Sequence, residues 1–166
     1  MDDNKINFVN SSCEIEWVND DGSLEIVINE GVKEIPSEAF SYDSRKISRV
    51  VLADSIEAID DYAFNNCQSL KTIIASSHSK LKYIGSYAFK DCTNLTFVAF
   101  PDTVREVGKD IFCNCPKNLQ YRLISTPTSR LQDPSGLNML ISLSNSETVD
   151  QQTLQALDSW RGTIGM

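Results

Sequence analysis

Apolar residues fall into columns when this chain is cut at a period of 23 to 25 residues. The pairs Ala39-Phe40, Ala63-Phe64, Ala88-Phe89 and Ile111-Phe112 recur at spacings of 24, 25 and 23. Five residues before each Phe stand Ile35, Ile59, Ile84 and Val107, and three residues earlier again stand Val32, Ile56, Leu81 and Val104. Asp43, Cys67, Cys92 and Cys115 follow each Phe by three residues, and Ile47, Leu70, Leu95 and Leu119 by six or seven. A fixed period of this length marks units that bury a hydrophobic face only by stacking on one another.

Each unit opens on a short β-branched or aromatic run: Glu25-Ile26-Val27-Ile28, Arg49-Val50-Val51-Leu52, Thr72-Ile73-Ile74-Ala75 and Phe97-Val98-Ala99-Phe100. Such runs read as strands, and strands recurring once per unit stack in parallel, one per turn of a solenoid. Ser37, Asp60, Ser86 and Lys109 precede the buried pairs, which predicts a single helical or 3₁₀ turn on the convex side of each coil. The fold class expected is therefore an α/β repeat solenoid, a short right-handed stack of parallel strands.

The run from Leu70 to Leu95, with Ile73, Leu81, Ile84-Gly85, Tyr87-Ala88-Phe89, Cys92 and Asn94-Leu95, resembles the leucine-rich repeat of the BspA type, a bacterial and protist family with repeats of this length. Ile56 to Cys67 and Val104 to Leu119 are similar segments, and the resemblance covers roughly residues 24–124, about four units. Asp43 replaces Cys in the first unit, and the third carries extra residues near Ser76 to Lys80. The resemblance implies a protein-binding role, since BspA-type repeats occur in surface proteins that attach to host or matrix proteins and in some bacterial effectors.

Both ends read as caps. In residues 1–23, Cys13 to Val18 alternates around Ile15 and Trp17 before the turn chemistry of Asn19-Asp20-Asp21-Gly22, which predicts a hairpin protecting the first edge. In residues 125–166, Pro127 and Pro134-Ser135-Gly136 break the chain, Leu137 to Leu143 predicts a short helix, and Glu147 to Trp160 predicts a longer one with Val149, Leu154, Leu157 and Trp160 at helical spacing.

Fifteen basic against twenty-three acidic side chains give a net charge of −8, the wrong sign for a face that neutralises phosphates, so nucleic acid is not an expected partner. No apolar stretch approaches the length of a membrane span, and membrane insertion is not expected. Met1 to Asn10 carries Asp2 and Asp3 and no apolar core, so the expected location is the cytoplasm, or outside the cell by a route other than a classical signal peptide.

His78, the single histidine, sits in the long loop of the third unit, where a solvent-exposed role is expected rather than a catalytic one. Cys67, Cys92 and Cys115 form one column beside Leu70, Leu95 and Leu119, where free Cys packs as a small hydrophobe, and Cys113 faces the other way. Asn66, Asp91 and Asn114, just before each Cys, suit turns that bond their own backbone. Asn10-Ser11-Ser12 and Asn94-Leu95-Thr96 match the glycosylation sequon, a three-residue pattern common by chance. No phosphate loop, metal-ligand spacing or nucleophile elbow occurs, so neither a cofactor nor a metal is expected.

Alternation along the strands carries the functional expectation. With Ile26 and Ile28, Val50 and Leu52, Ile73 and Ala75, and Val98 and Phe100 inward, Val27, Val51, Ile74 and Ala99 point outward, flanked by Arg49, Thr72 and Phe97. Exposed contiguous apolar surface marks a contact site, so the chain reads as a non-enzymatic module that binds a protein through this strip, in an adhesin-like or effector-type role. The alternatives are cover of the strip by the C-terminal helices, self-association as a homodimer through the same face, and a toxin-like or enzymatic activity in residues 125–166 carried on a repeat platform.

Overall fold

The structure, a computed structural model, describes residues 12–42 and 46–124, leaving aside the side chains of residues 13–17. The expected helices at Leu137–Leu143 and Glu147–Trp160 lie outside the described residues, as does Asp43. Strands β1 (Cys13–Val18), β2 (Leu24–Ile28), β4 (Ile47–Val51), β6 (Thr72–Ile74), β8 (Phe97–Pro101) and β10 (Gln120–Ile124) form one sheet in that order. Two-residue strands β3 (Glu34–Ile35), β5 (Ala58–Ile59), β7 (Tyr83–Ile84) and β9 (Glu106–Val107) form a second. β1 is antiparallel to β2, and every other pair is parallel, so the repeats make a parallel-strand β-solenoid of about four turns.

The columns become the core. Ile35, Ile59 and Ile84 are fully buried, as are Leu70, Ile73, Leu81 and Leu95, while Val32 and Val107 pack at its margin. Phe40, Phe64, Phe89 and Phe112 stack ring on ring at 4.8, 5.3 and 5.4 Å between centroids, and Tyr121 of β10 closes the column edge-on at 5.4 Å. Offset stacking of this kind adds about 0.5–1.5 kcal/mol per pair beyond the area buried.

The third wall of each coil differs from the expected helical turn. No helix or 3₁₀ segment forms among the described residues of the repeats; consecutive β-turns take their place. In the second coil Ala63 N bonds Asp60 O, Asn65 N bonds Tyr62 O, and Cys67 N bonds Phe64 O. The intervening amides of Tyr62, Phe64 and Asn66 point to the next coil and donate to Ser86 O, Ala88 O and Lys90 O. That alternation requires positive φ two residues either side of each Phe, at Glu38, Tyr42, Tyr62, Asn66, Tyr87, Asp91, Asp110 and Asn114. A helical turn would spend those amides inside its own coil and leave the carbonyls of the next coil unpaired. Asn66, Asp91 and Asn114 are thus chosen for the left-handed backbone they tolerate, and their side chains bond other side chains, Asn114 Nδ2 to Asp91 Oδ1 at 2.7 Å, rather than their own backbone.

The cysteines serve the same inter-coil economy. Sγ of Cys67, Cys92 and Cys115 donates to the carbonyl of Phe40, Phe64 and Phe89 in the preceding coil, at 3.0, 3.1 and 3.0 Å. The Cys115 thiol beside it and its own burial push the Cys92 thiol up, so it stays protonated and keeps its donor.

One acidic side chain is held under tension. Burial, and then the Glu34 carboxylate facing it from β3, raise the Asp60 carboxyl to about 6, with Asp61 adding to the effect; Tyr83 stands on the next coil and Glu106 on the coil beyond it. A carboxyl raised on folding favours the protonated fold, so its contribution is present below pH 4 and is lost as pH rises through about 6. Asp60→Asn is therefore expected to raise the melting temperature at pH 7.5 and to leave it nearly unchanged at pH 4, as read by thermal unfolding at both values.

Candidate functional site: the outer face of the large sheet

Cross-strand register decides which side chains stand together. Val27, Val51, Ile74 and Ala99 are successive partners across β2, β4, β6 and β8, with Arg122 of β10 next in line. Glu25, Arg49, Thr72, Phe97 and Gln120 form the row beside it. The core set keeps its parity through a bulge at the start of β4, where Leu24 pairs with Ile47 and Glu25 with Arg49. The extra residue, Ser48, is buried, and its Oγ donates to Leu24 O at 3.1 Å while accepting from Asn19 Nδ2 at 3.2 Å. Without this bulge β4 would slip by one residue and exchange Val51 for Val50 on the outer face.

Val27, Val51 and Ile74 are half-buried, as are Thr72 and Phe97. Ala99 departs from the expectation: it is 2% exposed, a small side chain ringed by Ile74, Phe97, Pro101 and Arg122, so it contributes a floor rather than a contact. Among the described residues the most open large apolar side chains, Val18 and Tyr42, lie off the row. Arg49 Nη1 meets Glu25 Oε2 at 3.1 Å, a half-buried pair at the sheet surface that orients the guanidinium along the row.

Beside the row, where the strands begin, a groove of about 510 Å³ is lined by Asn19, Asp20, Ser48, Arg49, Lys71 and Thr72 among others. The turn at Asn19–Gly22 shapes it: Gly22 has φ 77, and the Ser23 side chain and backbone hold the Asp21 carboxyl below its usual range. Nothing in the composition marks this groove, because it depends on the bulge and on pairing across three strands.

The other residues singled out from the sequence do not converge on it. His78 is exposed, with Ser77 Oγ 3.4 Å from its Nδ1 and its backbone N on Ser76 Oγ, an arrangement internal to the loop. Cys113 is half-buried and off the thiol column, and Asn94 donates to Gln68 O at 2.7 Å. Among the described residues no group of three His, Cys, Asp or Glu side chains is placed to hold a metal ion, and no helix is long and apolar enough to cross a membrane.

A coil of strand, short strand and turn repeated about every 24 residues, with an inward column of Ile, Leu, Phe and Cys, defines a leucine-rich-repeat solenoid. The chain belongs to the family described as the BspA type leucine rich repeat region (6 copies), which matches residues 20–133. Repeats of this class generally serve as protein-interaction modules. Among solved structures, a leucine-rich repeat protein from Bacteroides ovatus ATCC 8483 is 20% identical with a TM-score of 0.47, covering 70% of this chain and 37% of its own. A leucine rich cell surface protein from Faecalibacterium prausnitzii A2-165 is 22% identical with a TM-score of 0.45, covering 68% of this chain and 41% of its own. A T. pallidum leucine rich repeat protein is 16% identical with a TM-score of 0.36, covering 82% of this chain and 95% of its own. The chain thus spans about two fifths of the length of the first two. No curated protein sequence matches it.

Proposed function

We propose that this chain is a non-enzymatic protein-interaction module, adhesin-like or effector-type, that binds a protein partner through the outward row of Val27, Val51 and Ile74 with Ala99 beneath and Arg49, Thr72 and Phe97 alongside. The observation that carries this reading is the register, which sets three aliphatic side chains from adjacent strands in one unbroken line on a protein of net charge −8. A charged or polar row would keep an exposed sheet soluble; an apolar one is retained where something else covers it. Arg49, already held by Glu25, offers a guanidinium at the margin, the residue type that most often anchors an interface beside aromatic and aliphatic contacts.

The test is affinity capture from host or source cells with the wild type and with Val51→Glu/Ile74→Glu, both shown to be folded by circular dichroism. Two carboxylates placed where a partner excludes water are expected to weaken a specific partner by about a hundredfold. Retention of the same partners by the folded double variant removes the row from consideration as the binding surface.

A further inference from the structure

We infer that the outward row also accepts the row of a second copy of this chain, in a face-to-face dimer whose twofold axis runs parallel to the strands between β4 and β6; this rests on the reading of the row as a binding face. Across the sheet the row's register positions are Glu14 in β1, then Val27, Val51, Ile74 and Ala99, and Arg122 in β10. The row is therefore acidic at one end, basic at the other and apolar between. An even number of strands, in the order β1-β2-β4-β6-β8-β10, puts its midpoint between Val51 and Ile74. A half-turn about that midpoint lays β1 over β10, β2 over β8 and β4 over β6 of the second copy, a self-complementary contact of the kind twofold dimers use.

The pairings this produces are complementary. Val51 meets Ile74 twice at the centre. Val27, half-buried, meets the recessed floor at Ala99, where a small side chain leaves room for a larger one from across the interface. At both ends the register position of Glu14 stands opposite the exposed Arg122, so opposite charges close the apolar strip on each side. In the adjacent row Arg49 stands over Thr72 and Phe97 over Glu25, so that like charges face each other in neither row. The other charges at the border are mixed and matched within the chain. Glu25 is held by Arg49 at 3.1 Å, Asp21 has Lys71 and Lys46 close enough to act on its carboxyl, and Asp20 lines the groove together with Lys71.

Area sets the strength. Six strands about 4.8 Å apart and about five residues long present roughly 450 Å² of sheet, or about 900 Å² across two copies. That is below the ~1,200–2,000 Å² of a stable interface, so the dimer is weak and reversible, with a dissociation constant on the order of 100 μM, and a tighter partner displaces it.

Sedimentation equilibrium of the full chain reads this directly. A mass near the monomer's 18.5 kDa is expected at about 10 μM, and a weight-average near 1.7 times that at about 500 μM. Arg122→Glu and Glu14→Arg, each shown to be folded by circular dichroism, are expected to weaken self-association at least about tenfold, because each sets like charges together at both ends of the row. Mixed in equal amounts, the two variants are expected to associate with each other at wild-type strength, since every end then carries an opposite pair. Wild type that stays monomeric to about 500 μM overturns the proposal, as does a dimer that Arg122→Glu leaves unchanged. Variants that are each weakened but do not associate when mixed overturn the half-turn arrangement. Capture of another protein is measured with dilute bait, where the dimer is absent, so a monomeric chain that still captures through the row leaves the partner-binding reading standing. A dimer that forms as described while capture proves independent of the row leaves self-association as what the face does.

Discussion

Phe89→Ala is expected to lower the melting temperature by roughly 15–25 °C, the equivalent of about 3–5 kcal/mol lost from a buried aromatic. Phe89 is fully buried and central to the ring column, with Phe64 at 5.3 Å, Phe112 at 5.4 Å and Phe100 at 5.9 Å between centroids. Its removal deletes side-chain volume and three aromatic contacts together, and the neighbouring rings are held by their own turns and cannot collapse into the gap. A solenoid is coupled only through nearest neighbours, so this break also separates the first two coils from the last. The unfolding transition should therefore broaden as well as shift, which scanning calorimetry reads directly. A loss below about 1 kcal/mol would mean that the column is not the element coupling the coils.

Gly85→Ala is expected to cost about 3 kcal/mol or more, through crowding rather than through backbone conformation. A Cβ on Gly85 would lie 2.3 Å from Asp61 N and 2.5 Å from Asp60 C, and one on Gly108 would lie 2.2 Å from Ser86 N. These neighbours are backbone atoms of the preceding coil, fixed by Gly85 N on Ile59 O and Gly108 N on Ile84 O, both at 2.7 Å. Asp61 tightens the approach further, its Oδ1 accepting from Ser86 N at 2.7 Å. Room for one methyl group requires the coils to part locally, which lengthens those bonds. Chemical denaturation of Gly85→Ala with Ser86→Ala as the comparison measures it: a far larger loss in the first is expected, and a wild-type midpoint in the first would contradict the close approach.

Much of this architecture is legible in the chain because each core column repeats four times. Ile35, Ile59 and Ile84, or Phe40, Phe64 and Phe89, identify themselves by recurrence even where a single occurrence would be ambiguous. The turn wall is not legible from the same columns. Ser37 or Ser86 before a buried pair looks like a helix start, and only the inter-coil demand for amide donors selects alternating turns instead. A local clue existed in Asn66, Asp91 and Asn114, residues at ease with positive φ, placed two after each Phe. β10 was not marked by the pattern because Gln120–Ile124 has no Ala-Phe pair after it; only pairing with β8 reveals it. The outer row followed from simple alternation, yet the closure of Ala99 and the groove around Ser48 depend on which side chains neighbouring strands bring, which no single strand encodes.

The most direct test of the account is the affinity of a captured partner for three folded proteins: wild type, Val51→Glu/Ile74→Glu on the sheet face, and Tyr42→Glu on the turn wall, where Tyr42 is 69% exposed. Loss of about a hundredfold in the first variant with little change in the second is the predicted result. Unchanged affinity in the sheet-face variant, or a comparable loss in Tyr42→Glu, would contradict it and move the binding surface off the sheet.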